Sequence, residues 1–133
     1  TCLDWEIYPA AFKEMLLRLR DEYGNPEVYI CENGAAYHEP DTVSTEIQDI
    51  DRIAYLDGYL DAMREAIEDG ANVKGYMVWS IIDNLEWAWG YGPRFGLVHV
   101  DYDTLVRTPK KSYHWFAEVA RHNALPKPEV RDV

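Results

Sequence analysis

Two short apolar segments with a helical pattern between them place the strongest constraint on how this chain can fold. Residues 28–32 and 73–80 are both rich in β-branched and aromatic side chains, which is typical of buried strands. Between them, a helix is predicted from about Asp51, which can cap its N-terminus, to Gly70, with apolar residues at spacings of three and four: Ile53, Leu56, Leu60, Met63 and Ile67. The order strand, helix, strand predicts a parallel pair joined by a right-handed crossover.

Helices are also predicted on both sides of this unit. Pro9 opens the first of them and Gly24 ends it, with one apolar face made of Phe12, Met15, Leu16, Leu19 and Tyr23. After a short extended segment at residues 97–102, Thr108-Pro109 begins the last helix, whose inner side carries Tyr113, Phe116 and Ala120. The pattern predicts one domain over residues 1–125 and a loose tail at residues 126–133.

The predicted sheet has too few strands to stand alone. Parallel strands of nearly continuous apolar character need cover on both faces and further strands at both edges. This chain of 133 residues supplies only two such strands. We therefore predict an α/β fold that forms part of a larger sheet.

Charge and cysteine content exclude several classes of function. A formal net charge of −11 argues against nucleic acid and against anionic membrane surfaces, and no apolar run approaches the roughly 18 residues that span a bilayer. Cys2 and Cys31 lie far apart and match no metal-binding spacing, so we expect Cys31 to be a free thiol buried in its strand. Since the sequence also starts without a signal-like segment, we expect a cytoplasmic location.

Side chains that can carry chemistry lie where each predicted strand ends. Glu32 ends the first strand, just before Asn33-Gly34, a pair that tolerates positive φ and so breaks the strand. Trp79 lies at the end of the second strand, and the aromatic-rich loop at residues 80–96 adds three further candidates: Glu86, Trp87 and Phe95. Adjacent parallel strands bring both groups beside one pocket, at the edge where βα proteins collect functional residues.

Such a pocket suits a sugar. Carboxylates such as Glu86 accept hydrogen bonds from hydroxyl groups, indole N–H groups donate to them, and a flat ring such as Trp79 packs against the C–H face of a pyranose. A carboxylate such as Glu32 can also serve as the nucleophile in glycoside hydrolysis. The alternatives are structural: Glu32 turned to solvent or paired with an arginine, Glu86 paired with Arg94, and Trp79 and Phe95 as core residues.

Five segments, in order along the chain, resemble motifs of one known family. Residues 29–34 (YICENG) resemble its nucleophile motif, and residues 78–87 (VWSIIDNLEW) resemble its glycone-binding motif. Residues 94–101 and 107–112 resemble the segments that follow, and residues 5–9 (WEIYP) resemble the lead-in to the preceding helix. The family is that of the family 1 glycoside hydrolases, which include β-glucosidases and β-galactosidases.

The resemblance implies a fold and a role for each candidate residue. The family fold is a (β/α)8 barrel, of which this chain is expected to form a C-terminal βαβα part with strands seven and eight. Glu32 is then the nucleophile of a retaining mechanism that uses no cofactor and no metal. Glu86 is expected to bind the 4- and 6-hydroxyls of the sugar, and Trp87 to donate a hydrogen bond to its 3-hydroxyl. Trp79 is expected to stack under the sugar, and Phe95 to form the wall at its 6-position.

Two departures from the family pattern carry consequences. Leu85 stands where many members have Phe, which changes packing more than chemistry. The Glu86-Trp87 pair follows the family pattern and favours unphosphorylated glycosides. The acid/base glutamate of an Asn-Glu-Pro motif on the fourth strand has no counterpart in this sequence. We therefore predict that the chain alone is inactive, and that it acts on a β-glycoside or oligosaccharide together with a complementary N-terminal barrel segment. The alternatives are a non-catalytic carbohydrate-binding module and a self-assembling oligomer.

Overall fold

The computed structural model describes residues 1–41, 43 and 46–126, so the predicted tail at residues 126–133 lies outside the described part of the chain except for its first residue. The elements in chain order are α1 (Pro9–Glu22), β1 (Val28–Asn33), α2 (Ile50–Glu68), β2 (Val73–Val78), a 3-10 helix (Trp87–Trp89), β3 (Val98–Val100), β4 (Arg107–Pro109) and α3 (Lys111–His122). None of the helices in the described ranges combines the length and apolar composition that crossing a bilayer requires.

The two apolar segments form the predicted parallel pair. β1 lies beside β2 in a register that matches Ile30 with Tyr76 and Asn33 with Val78, and α2 connects the two strands. The prediction of a parallel strand–helix–strand unit is therefore confirmed. Among the described residues this sheet has two strands, so the outer edge of each strand has no further strand beside it.

β1 is much less buried than its composition predicts. Ile30 is buried, but Tyr29 is 56% exposed and both Cys31 and Glu32 are also exposed. The expectation of a buried Cys31 thiol is therefore wrong for this chain. The physical reason is that one face and the outer edge of β1 lack neighbours among the described residues, while the composition suits a strand covered on both faces.

The covered face of the sheet packs against the helices. One core cluster joins α1, β1 and the end of α2 through Leu16, Ile30, Ala66 and Ala71. A second cluster lies nearer the carboxyl ends of the strands and consists of Ala35, Tyr55, Leu56 and Leu97. Helix α3 packs against α2 beside this second cluster. Four residues of the predicted apolar helix faces lie outside these clusters and are exposed: Met15, Tyr23, Ile67 and Ala120.

Two helices, α2 and α3, begin at residues other than those predicted. α2 begins one residue before Asp51, and its N-cap is Asp49, whose carboxylate accepts hydrogen bonds from the backbone N–H and the hydroxyl of Ser112. α3 begins at Lys111, because Thr108-Pro109 belongs to β4, which pairs antiparallel with β3. The inner side of α3 also differs, since Ala120 is exposed and the buried residues are Ser112 and Val119.

Candidate active site

The five candidate side chains line one open cavity of about 500 Å³. The cavity lies where β1 and β2 end, as expected for parallel strands that carry functional groups at their carboxyl ends. Its lining comprises the five candidates, Glu32, Trp79, Glu86, Trp87 and Phe95, together with Trp5, Asn33, Gly34 and Tyr55.

Glu32 is exposed and faces this cavity. Within the described ranges its carboxylate forms neither an ion pair nor a hydrogen bond, so the alternative of pairing with an arginine is not observed there. Because a carboxylate is an acceptor only, a free and accessible one can bind hydroxyl groups or attack an electrophilic carbon.

Asn33, the residue after Glu32, is held from two elements. The Tyr76 hydroxyl on β2 donates a 2.7 Å hydrogen bond to Asn33 Oδ1, and Asn33 Nδ2 donates to the Tyr55 hydroxyl on α2 at 3.3 Å. Burial raises the pKa of Tyr55 to about 12 and also raises the pKa of Tyr76, so both phenols stay neutral at physiological pH. The side chain beside Glu32 therefore has a fixed orientation.

Gly34 brings the ends of β1 and β2 into contact. A Cβ atom at Gly34 would lie 1.7 Å from the carbonyl oxygen of Trp79, a distance that no substituted residue can accommodate. Trp79 N also donates a 2.9 Å hydrogen bond to Asn33 O across the same junction. Neither Asn33 nor Gly34 has a positive φ, so the sequence argument from left-handed conformations is wrong here. The close approach of two backbones explains the glycine instead.

The loop after β2 presents Glu86 and Trp87 at the cavity from a tight turn. Glu86 N donates to Gly90 O at 2.8 Å, and Trp89 N donates to Glu86 O at 2.7 Å. Trp87 is 89% exposed, and the Glu86 carboxylate has no hydrogen-bond partner within the described part of the chain. Both side chains are therefore available to a ligand.

Two of the structural alternatives can be assessed directly. Arg94 does not pair with Glu86, since its guanidinium contacts Asp83 at 3.2 Å and Asp41 at 3.5 Å. Phe95 is only 4% exposed and its ring packs at 5.7 Å from that of Trp5, so it forms part of the packed wall of the cavity.

A group of potential metal ligands lies outside the cavity. The side chains of Glu39, Asp83 and His99 place one ligand atom each within 4.8 Å of one another. The Lys110 ammonium nitrogen lies 2.6 Å from Glu39 Oε2 and 3.1 Å from Asp83 Oδ1, so a cation of the protein itself occupies the space between the two carboxylates. Burial lowers the pKa of Lys110, as does the nearby Arg52, whereas Glu39 and Asp83 raise it.

Four cavity residues were not among the site residues predicted from sequence: Trp5, Asn33, Gly34 and Tyr55. Asn33 and Gly34 follow Glu32 directly, so their proximity could have been inferred from the same motif. Trp5 belongs to the segment before α1 and Tyr55 to the first half of α2. No local pattern connects those two residues to the strand ends, because only the folded backbone brings them there.

An open cavity lined by two carboxylates and several aromatic rings thus lies at the ends of the parallel strands of this α/β chain. The chain belongs to the family described as glycosyl hydrolase family 1, whose sequence model matches residues 1–125. The solved β-glucosidases of that family are (β/α)8 barrels, so the chain has the fold of part of such a barrel.

Several curated relatives and solved structures that match this chain are β-glucosidases by name. The chain is 46% identical over 125 residues to β-glucosidase A of Acetivibrio thermocellus and 43% identical over 125 residues to 1,4-β-D-glucan glucohydrolase of Thermotoga neapolitana. In both comparisons the match covers 94% of this chain and 28% of the relative. The family 1 β-glucosidase of Thermotoga maritima in complex with isofagomine lactam superposes with a TM-score of 0.90 at 43% identity, over 95% of this chain and 29% of that one. The chain thus spans about 28% of the length of the curated relatives it matches.

Proposed function

We propose that the protein containing this chain hydrolyses terminal β-D-glucosyl residues, or closely related sugars, with retention of configuration at the anomeric carbon. The observation that carries the proposal is the convergence of Glu32, Trp79, Glu86 and Trp87 on one accessible cavity. The β-glucosidase and glucohydrolase relatives support the same reaction and substrate class.

Glu32 is the nucleophile in this proposal. Its carboxylate oxygen bonds to the anomeric carbon while the bond from that carbon to the leaving oxygen breaks, and the leaving oxygen takes a proton from a separate acid. Water then attacks the glycosyl ester and gives its proton to the group that first served as the acid and now acts as a base. This step releases the sugar and free Glu32. The free and exposed state of the Glu32 carboxylate supports its role as the attacking group.

The remaining candidates bind the sugar. Glu86 accepts hydrogen bonds from the 4- and 6-hydroxyls, and the indole N–H of Trp87 donates to the 3-hydroxyl. Trp79 provides the stacking surface beneath the sugar, and Phe95 closes the cavity at the 6-position. The exposure of Trp87 and the unpaired Glu86 carboxylate support these assignments, since both groups are available to hydroxyl groups.

The acid/base group comes from a complementary N-terminal barrel segment in this proposal. A retaining mechanism requires a second carboxyl about 5–5.5 Å from the nucleophile, and Glu86 is assigned to the far hydroxyls of the sugar. β1 and β2, proposed as strands seven and eight, would pair through their open outer edges with strands of that segment. The chain alone is then expected to be inactive.

The test compares the isolated chain with a chimera. The chimera joins the N-terminal portion of the Thermotoga maritima β-glucosidase to this chain, which replaces the matching segment of that enzyme. Hydrolysis of an aryl β-glucoside is expected from the chimera and not from the isolated chain. A β-glucoside bearing fluorine beside the anomeric carbon and a good leaving group should label Glu32 covalently, as detected by peptide mass spectrometry.

Glu32→Gln in the chimera should lower kcat by at least about a thousandfold, because no nucleophile of the same strength replaces it. Glu27→Gln is the matched control, since Glu27 is exposed, precedes β1 and does not line the cavity. Full turnover by the isolated chain, or by the Glu32→Gln chimera, would refute the proposal.

A second candidate function is sugar binding without catalysis. The observation that favours it is that Trp79, Glu86, Trp87 and Phe95 all belong to this chain and line one cavity. Titration calorimetry of the isolated chain with glucose would then give saturable binding. Light scattering on the same sample would reveal self-assembly through the open strand edges as a sharp increase in mass.

A further inference from the structure

Six buried charged side chains form a continuous series of ion pairs behind the cavity. Each side chain is at most 4% exposed, and consecutive members are in direct contact in the order Asp49, Arg52, Glu39, Lys110, Asp83 and Arg94. Three carboxylates therefore alternate with three cations, and we call this series the ionic chain. None of its members lines the cavity.

Arg52 connects the two segments that form the cavity. Its Nη1 donates a 2.6 Å hydrogen bond to Ala35 O, just after Gly34, and a 3.2 Å hydrogen bond to Phe95 O in the loop after β2. The same guanidinium pairs with Asp49 through Nε and with Glu39 through Nη2. One rigid planar group thus fixes the separation between the backbone that follows Glu32 and the backbone of Phe95.

Asp83 closes the loop that carries Glu86 and Trp87. Its Oδ1 accepts hydrogen bonds from Gly96 N at 2.8 Å and Lys110 Nζ at 3.1 Å, and its Oδ2 accepts from Arg94 at 3.2 Å. A residue near the start of the loop at residues 80–96 is thereby bound to residues at its end. A Cβ atom at Gly96 would lie 2.2 Å from Asp83 N, which shows how closely the two ends approach.

Stability alone is a poor explanation for this arrangement. Burying an ion pair has a desolvation cost that frequently equals the Coulomb attraction, and well-packed apolar residues often stabilise a core equally well. Directed hydrogen bonds from a guanidinium and to a carboxylate instead impose a particular geometry on the backbones they join. In this protein the backbones joined in this way belong to the segment after Glu32 and to the loop that carries Glu86 and Trp87.

We propose that the ionic chain positions the sugar site, with Arg52 setting the distance between the Glu32 segment and Phe95, and Asp83 holding the loop of Glu86 and Trp87. This inference rests on the proposed function. Arg52 and Asp83 are positioning residues, because they reach the sugar only through other residues. The part of the site they control is the wall assigned to the 6-position and the carboxylate assigned to the 4- and 6-hydroxyls.

The test measures discrimination at the 6-position in the chimera described above. A β-xyloside lacks the hydroxymethyl group of a β-glucoside, so the ratio of the two kcat/KM values reports on Glu86 and Phe95. Arg52→Lys keeps the charge but cannot span both carbonyl groups, and Asp83→Asn keeps the shape but loses the negative charge. Each is expected to lower the glucoside-to-xyloside ratio at least about fivefold. Arg64→Lys and Asp61→Asn are the controls, because these residues pair with each other on the exposed side of α2.

A purely structural role gives a different result. Partial unfolding removes active enzyme and lowers both kcat/KM values in proportion, so an unchanged ratio in Arg52→Lys and Asp83→Asn would overturn the positioning role. If Asp83→Asn does not fold, the milder Arg52→Lys decides the case. A wild-type chimera without glucosidase activity would instead refute the proposed function, and the positioning role with it.

Discussion

The hydroxyl of Tyr76 on β2 donates a 2.7 Å hydrogen bond to the side-chain oxygen of Asn33 on β1. This bond crosses the parallel pair beside the backbone hydrogen bonds and ends on the residue adjacent to Glu32. The end of β1 is therefore tied to its neighbour through a side chain as well as through its backbone. Rotation of this strand end, which would redirect Glu32, requires the bond to break.

Replacing Tyr76 by Phe should destabilise the chain by about 1–2 kcal/mol, because Asn33 Oδ1 loses its donor in a partly buried position. Urea unfolding followed by circular dichroism measures the loss. Tyr29→Phe is the control, since Tyr29 lies in the same sheet, is 56% exposed and has no hydrogen bond to its hydroxyl in the described part of the chain. Equal effects of the two substitutions would contradict the assigned role of the bond.

Stability should fall as the pH rises from about 10 to about 12, because burial raises the pKa of Tyr55 to about 12. The unfolded chain releases this phenolic proton near its ordinary pKa of about 10, while the folded chain retains it. Ionisation of Tyr55 thus favours unfolding as the pH rises from about 10 to about 12, and the stabilisation that the neutral phenol gives below about pH 10 is lost. Urea midpoints at a series of pH values measure the decline, which should be smaller in Tyr55→Phe. An identical decline in that variant would exclude Tyr55 as the source.

Gly34→Ala should destabilise the chain by about 3 kcal/mol or more, because the added carbon would overlap the carbonyl oxygen of Trp79 and force the strand ends apart. Thermal unfolding measures the change. Gly92→Ala is the matched control, since a Cβ atom there would meet Trp89 O at an ordinary 3.7 Å. A wild-type midpoint for Gly34→Ala would mean that the two backbones do not approach as described.

Trp87→Phe should raise KM for an aryl β-glucoside about tenfold in the chimera, because an aromatic ring is kept but the indole N–H donor is lost. The melting temperature should not change, since Trp87 is 89% exposed. Trp89→Phe alters the same short helix but does not line the cavity, so its KM should match that of the wild type. Equal KM changes for the two substitutions would contradict the assigned hydrogen bond.

Sequence patterns predicted the longer elements well and the shorter ones only in part. The periodicity of residues 53–67 and the apolar runs on either side were sufficient to predict the parallel pair, because each extends over several residues. β3 lies within the extended segment predicted at residues 97–102, whereas β4 was missed because it has only three residues and Thr108-Pro109 fits the start of a helix equally well. The exposure of Cys31 depends on which strands lie beside β1, a property that local sequence does not contain.

For the candidate site, too, the residues within local motifs were predicted and the contacts between distant residues were not. Glu32, Trp79, Glu86, Trp87 and Phe95 lie in motifs next to strand ends, and the parallel topology was enough to predict their convergence. Their catalytic and binding roles stay predictions until the variants are measured. The ionic chain was not predicted, because its members are scattered from Glu39 to Lys110 and become neighbours only in the folded chain.

Several indole rings lie around one cavity, so the tryptophan fluorescence of this chain reports on that cavity. Of its five tryptophans, Trp5, Trp79 and Trp87 line the cavity, and Trp89 ends the same 3-10 helix that Trp87 begins. Trp115 in α3 is the remaining one. Four of the five indole rings of this chain thus lie at or next to the site, and a sugar that displaces water from them is expected to shift the tryptophan emission to shorter wavelength. Occupancy of the cavity can therefore be followed in the isolated chain without labels or turnover.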